Sequence, residues 1–133
     1  MIAFDTNMLV RAVVADHPAQ VDVVRRLMAG NTVFISRTVL LETEWVLRSR
    51  YKKNRAELLA FFTALLEAEN AELEAAPAVS LALDWYAQGA DFADALHLAV
   101  CGTSVMHTFD REFCLAARES DTAPEVQVWA HIG

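Results

Sequence analysis

Lysine occurs only at Lys52 and Lys53, cysteine only at Cys101 and Cys114, and the chain has three prolines and four glycines. So few cysteines in 133 residues make no disulfide framework, and both lie in segments that read as helical. The scarcity of proline and glycine, beside 55% hydrophobic residues, excludes a collagen-like or disordered chain. No apolar run approaches membrane-spanning length, and Met1-Ile2-Ala3-Phe4-Asp5 shows neither a basic leader nor a cleavage signal. These absences predict a protein that stays where it is made, in a reducing cytoplasm, with no membrane attachment. The length predicts a single domain over residues 1–133.

A net charge of −7 argues against a nucleic-acid partner as a bulk property, since phosphate binding rests on lysine and arginine. The distribution argues otherwise. Arg48, Arg50, Lys52, Lys53 and Arg55 supply five of the eleven basic residues in one short stretch, while acids crowd residues 67 to 74. A local field of this kind can receive RNA or an acidic partner, although a solvated helix end explains it equally well.

Short apolar runs rich in β-branched residues alternate with longer runs of helical period, the pattern of βαβ units. It predicts a three-layer α/β/α fold with a central, mostly parallel sheet. Strands are expected at residues 2–4, 32–35, 105–109 and 126–129, with a short one at 72–75. Pro18 opens a helix through Met28 that Gly30 closes. Further helices are expected at about 38–51 and 55–69, from Pro77 to near Gly89, and at 92–102. The last is apolar all round and so is expected to be buried.

Asp5 follows the first strand and Asp110 follows a later one, so both are expected at strand carboxyl ends, where open α/β sheets hold their ligands. Capping of the next helix is the plainer duty for either. On a helical wheel of residues 38 to 50, Glu42 falls between Trp45 and Val46, with Val39 one turn back. This predicts a carboxylate on an apolar face, which needs a cation or an arginine beside it. Glu44 falls with Arg37 and Arg48 and is expected to be solvated, paired with Arg48 four residues on. Asp91 reads as the N-cap of the apolar helix, and Asp94, one turn inside, as the better ligand. Together these acids suit a hard divalent cation, Mg²⁺ or Mn²⁺, and metal-assisted hydrolysis of a phosphodiester with no protein nucleophile. Thr6 and Asn7 could orient a ligand at Asp5, or serve a turn or cap.

Four segments carry a family resemblance: Phe4-Asp5-Thr6-Asn7-Met8-Leu9-Val10-Arg11, Val39-Leu40-Leu41-Glu42-Thr43-Glu44-Trp45-Val46-Leu47-Arg48, Asp91-Phe92-Ala93-Asp94-Ala95-Leu96 and Thr108-Phe109-Asp110-Arg111-Glu112-Phe113. In that order and spacing the chain closely resembles the PIN-domain ribonucleases, and within them the VapC-type toxins of bacterial type II toxin–antitoxin systems. The resemblance implies a central parallel sheet, Mg²⁺- or Mn²⁺-dependent endoribonuclease activity, and inhibition by a small antitoxin whose tail fills the acidic cleft. By motif position it makes Asp5, Glu42, Asp94 and Asp110 the catalytic, metal-holding acids. It makes Thr6, Asn7 and Thr108 supporting neighbours, makes Asp91 an accessory acid, and implies a homodimer.

Other readings remain. Phe4-Asp5-Thr6-Asn7 is similar to phosphotransferases that form an aspartyl-phosphate, but Asn7 stands where those have a second aspartate, and both lysines lie at a helix end. His97, Cys101, His107 and Cys114 are zinc-ligand types without the spacing of a zinc knuckle, and read as core residues. His17 and His131 carry no signal. The tryptophans and phenylalanines read as core or interface rather than as a stacking platform. A catalytically silent binding module would have lost one of the four acids, and all four are present.

Overall fold

The computed structural model describes residues 1–130, so His131 lies outside the described residues. The chain forms two compact units, Met1–Ala76 and one from Pro77 onward.

The first unit is built on three short parallel strands, β1 (Ile2–Ala3), β2 (Val33–Ile35) and β3 (Ala71–Leu73), in that spatial order. Ile2 pairs with Val33, and Val33 in turn with Ala71. Parallel strands need long crossovers, which here are helical: α1 (Thr6–Val13) and α2 (Pro18–Gly30) join β1 to β2, and α3 (Arg37–Ser49) and α4 (Arg55–Glu67) join β2 to β3. Each helix start has a polar cap. Ser36 Oγ accepts from Val39 N–H at 3.2 Å, and Asn54 and Glu57 form a reciprocal capping box at the head of α4. Lys52, at φ 55°, turns the chain between α3 and α4. Leu9, Val33, Ile35, Leu40, Leu47, Leu58 and Phe62 form the core of this unit, each contributing about 1.5–3 kcal/mol by leaving water.

The second unit contains α5 (Ala76–Ala87, beginning at the boundary), α6 (Phe92–Val100), β4 (Met106–Thr108), the single turn α7 (Leu115–Arg118) and β5 (Val126–Val128). Gly89, at φ 111°, provides the left-handed turn that ends the run of α5. β4 and β5 are parallel, with Thr108 opposite Val128. Trp85, Tyr86, Phe92, Leu96 and Leu98 are buried, and the Tyr86 and Phe92 rings meet edge to face at 5.6 Å.

Both sheets are parallel and interleaved with helices, the α/β class expected. Two expectations need correction. Residues 6–13, where no element was expected, form a helix that Asp5 caps, and α6 is not buried all round, since His97 and Val100 are exposed. The two cysteines flank helices: Cys101 is the C-cap of α6, and Cys114 is the left-handed residue before α7. Both are free thiols.

Candidate active site

Asp5 leaves β1 through the buried Phe4 and becomes the N-cap of α1, its Oδ1 accepting from Met8 N–H at 3.1 Å. Capping is therefore a real duty of this residue, discharged by an exposed carboxylate at the end of a parallel strand. Thr6 is buried in the first turn. Asn7 is exposed and borders a cavity of about 320 Å³ between α1 and α2 that Met8, Arg11 and Val23 also line.

The faces of α3 differ from the helical-wheel expectation. The buried stripe is Leu40, Thr43, Glu44 and Leu47, so Glu44 is the carboxylate inside, 4% exposed, and Glu42 is exposed. Trp45, used to mark the apolar side, is 52% exposed, which rotates the face away from Glu42. The expected pairing of Glu44 with Arg48 is present, Arg48 Nε donating to Oε2 at 2.8 Å, and it compensates a buried charge rather than decorating a surface. Glu42 keeps its motif position, but burial no longer argues for it. Beside Glu44, the hydroxyl of Thr43 is buried with no hydrogen-bond partner among the described residues.

In the second unit Asp91 is the N-cap of α6, accepting from Asp94 N–H at 3.1 Å, as expected. Asp94 is half-buried in the first helical turn. Its carboxyl is raised above the usual aspartate range, first by burial, then by the negative charges of Asp91 and Asp110, with His97 opposing. Asp91, Asp94 and Asp110 thus share one electrostatic neighbourhood. Asp110 is exposed; its N–H bonds Thr108 Oγ1 at 3.0 Å, and its Oδ1 accepts from Glu112 N–H at 2.8 Å. Thr108 accordingly holds the loop that carries the acid. Arg118 does the same from the other side, its guanidinium donating to the carbonyls of Phe113 at 2.6 Å, Arg111 at 2.9 Å and Asp110 at 3.4 Å. Sequence reasoning missed Arg118, because an arginine eight residues on has no motif signal.

None of the four motif acids is buried: Asp5, Glu42 and Asp110 are exposed and Asp94 is half-buried. In kind, the donors fit a hard divalent cation: they are anionic oxygens, and the crowding around Asp94 is what such a cation relieves. Among the described residues, no group of three or more His, Cys, Asp or Glu side chains is arranged to hold a metal ion.

The basic stretch is partly spent locally. Arg48 binds Glu44, Lys53 pairs with Glu57 at 3.7 Å, and Lys52 donates to the Ser49 carbonyl at 2.7 Å. No helix among the described residues is long and apolar enough to cross a membrane.

A family model described as PIN domain matches residues 2–119. PIN domains are in general nucleases that use divalent metal ions. No curated protein and no solved structure matches the chain.

Proposed function

The chain belongs to the PIN domain family, and on that premise we propose that it is a Mg²⁺- or Mn²⁺-dependent endoribonuclease, the VapC-type toxin of a type II toxin–antitoxin pair. The observation that supports the metal-dependent part is the half-buried Asp94, whose carboxyl is raised first by burial and then by the charges of Asp91 and Asp110, a crowding that a cation would relieve. On this reading residues 1–133 act as one PIN domain, in the cytoplasm. Asp5, Glu42, Asp94 and Asp110 hold the metal, and Asp91 is an accessory acid. When bound, the ion supplies Lewis-acid polarisation and a water of lowered pKa.

The protein's own contribution is positioning. The cap on α1 orients Asp5, with Thr6 and Asn7 beside it, and the Asp91 cap fixes the turn from which Asp94 projects. Thr108 and Arg118 hold the Asp110 loop from either side. Arg48, Arg50, Lys52, Lys53 and Arg55 receive RNA or the antitoxin, and two copies of the chain form the working homodimer.

The test is cleavage of RNA by purified protein in Mg²⁺ or Mn²⁺. Excess EDTA is expected to abolish it, and Asp5→Asn or Asp110→Asn to slow it by about 10²-fold or more. Undiminished cleavage in EDTA, or full activity in both variants, overturns the reading. Binding of RNA with no cleavage under any metal would leave a silent PIN-fold module instead.

A further inference from the structure

β4 carries Asp110 just beyond its carboxyl end, and its strand partner among the described residues is β5, three residues long. A two-stranded pair is marginal in water, so the end of β4 needs further ties if the acid beyond it is to keep one place. Trp129, the residue after β5, supplies two. Its backbone N–H extends the ladder by donating to the Thr108 carbonyl at 2.9 Å, and its indole Nε1–H donates to His107 Nδ1 at 2.8 Å. The two rings stack at 6.0 Å with 18° between their planes. His107, expected in the core, is exposed, and Trp129 is 48% exposed. Side chains alternate across a strand, so His107 faces outward while Thr108 lies with Met106 on the half-buried side. Trp129 thus grips two consecutive residues of β4, one by its side chain and the other by its carbonyl. The Thr108 hydroxyl is left for Asp110, whose N–H it accepts at 3.0 Å. Arg118 holds the Asp110 carbonyl from the other side of the loop, and Trp129 is the tie on the strand side.

We propose that Trp129 and His107 are positioning residues: through Thr108 their clasp fixes where β4 ends, and so where the Asp110 carboxylate stands for the reaction. The inference rests on the reading of Asp110 as a catalytic acid. It gives that acid a support from outside the family match, which ends at residue 119. Water competes for donors and acceptors on an exposed face, so a hydrogen bond there adds little to global stability. Its effect is on local placement, where small displacements matter more: about 1 Å at a reacting group can cost about 10²-fold in rate.

The test pairs Trp129→Phe, which keeps a ring and removes the indole donor, with His107→Phe, which keeps a ring and removes the acceptor. Amide hydrogen exchange is read first, in metal-free protein. Each variant is expected to speed exchange at the Asp110 N–H severalfold, while the Ala95 N–H in α6 and the Val33 N–H in β2, both bonded to backbone carbonyls, exchange as in wild type. Cleavage of RNA in Mg²⁺ or Mn²⁺ is read second. In each variant kcat is expected to fall about tenfold with KM unchanged. The double variant is expected to lose no more than either single one, since both break the same bond. Gln127→Ala, opposite His107 on the exposed face, is expected to match wild type throughout. Wild-type exchange at Asp110 in both folded variants overturns the clasp whatever the activity. Faster exchange that spreads to Ala95 also overturns it, by making the contact general packing. So do wild-type kcat in both variants, losses that add in the double variant, or a raised KM with kcat unchanged, which would make the face a binding surface. Faster Asp110 exchange in variants of a protein that cuts no RNA in any metal would sink the nuclease reading and leave the clasp standing.

Discussion

In the first unit Asp16, Asp22, Glu44, Glu57 and Glu74 each stand in an ion pair with an arginine or lysine, whereas in the second Asp94 feels the negative charges of Asp91 and Asp110. Two carboxyls show the consequence. Glu74 is held below the usual glutamate range, chiefly by accepting the Arg37 backbone N–H at 2.9 Å, while Asp94 is pushed above the aspartate range by burial and by its acidic neighbours. Those five carboxylates of the first unit have cations beside them, whereas Asp94 in the second is buried in part and crowded by like charge, with His97 opposing. Carboxyls perturbed in this way cluster at functional sites.

Replacing charges one at a time sharpens this contrast. The largest effects are expected in cleavage: Asp94→Asn and Glu42→Gln should each lose about 10²-fold or more, with the fold intact. Activity within a few-fold of wild type in both would place the site elsewhere. Next comes stability. Arg48→Ala leaves the buried Glu44 carboxylate without its guanidinium and should cost about 1–3 kcal/mol in denaturant unfolding. Glu42→Gln, on the exposed side of the same helix, should leave the midpoint unchanged, and the reverse order would break the assignment of faces on α3.

Smaller is the pH dependence of metal-free stability. Because the Asp94 carboxyl is raised in the native chain, the folded form holds a proton that the unfolded form has released. Its contribution to stability is thus complete at low pH and is lost as pH rises from the ordinary aspartate value of 3.8 through the raised one. Melting temperature against pH should show that decline in wild type and a shallower one in Asp94→Asn. Identical profiles would show that the Asp94 carboxyl is not raised by burial and its acidic neighbours. The smallest effect concerns the thiols. Cys114, raised to about 12 by burial and then by Asp94 and Asp91, should resist alkylation at neutral pH until the protein is unfolded, while the half-exposed Cys101 is modified in the native state. Equal rates for the two in native protein would contradict the burial of Cys114.

The elements read correctly from sequence had strong local punctuation: Pro18 and Gly30 around α2, the Asn54 and Glu57 box on α4, and the β-branched Val33 to Ile35 run. Helix α1 was missed because its first residues, Asp5 to Asn7, carry a motif that draws attention to ligands, and the same residues suit a helix start. The faces of α3 were misassigned for a different reason. A wheel ranks side chains by polarity, and a buried glutamate paired four residues along with an arginine defeats that ranking. The candidate acids were legible from spacing, but what holds them was not. The Arg118 clasp joins residues whose proximity depends on the folded path of the loop.

The cap that Asp5 places on α1 has a consequence for entropy. A free aspartate must give up torsional freedom when a ligand fixes it, at about 0.5–1.5 kcal/mol for an immobilised side chain at a binding surface. Here the hydrogen bond from Met8 N–H to Oδ1 has already restricted those torsions in the folded chain. Whatever the carboxylate meets, it meets with its orientation settled, and the ordering cost falls on folding rather than on association.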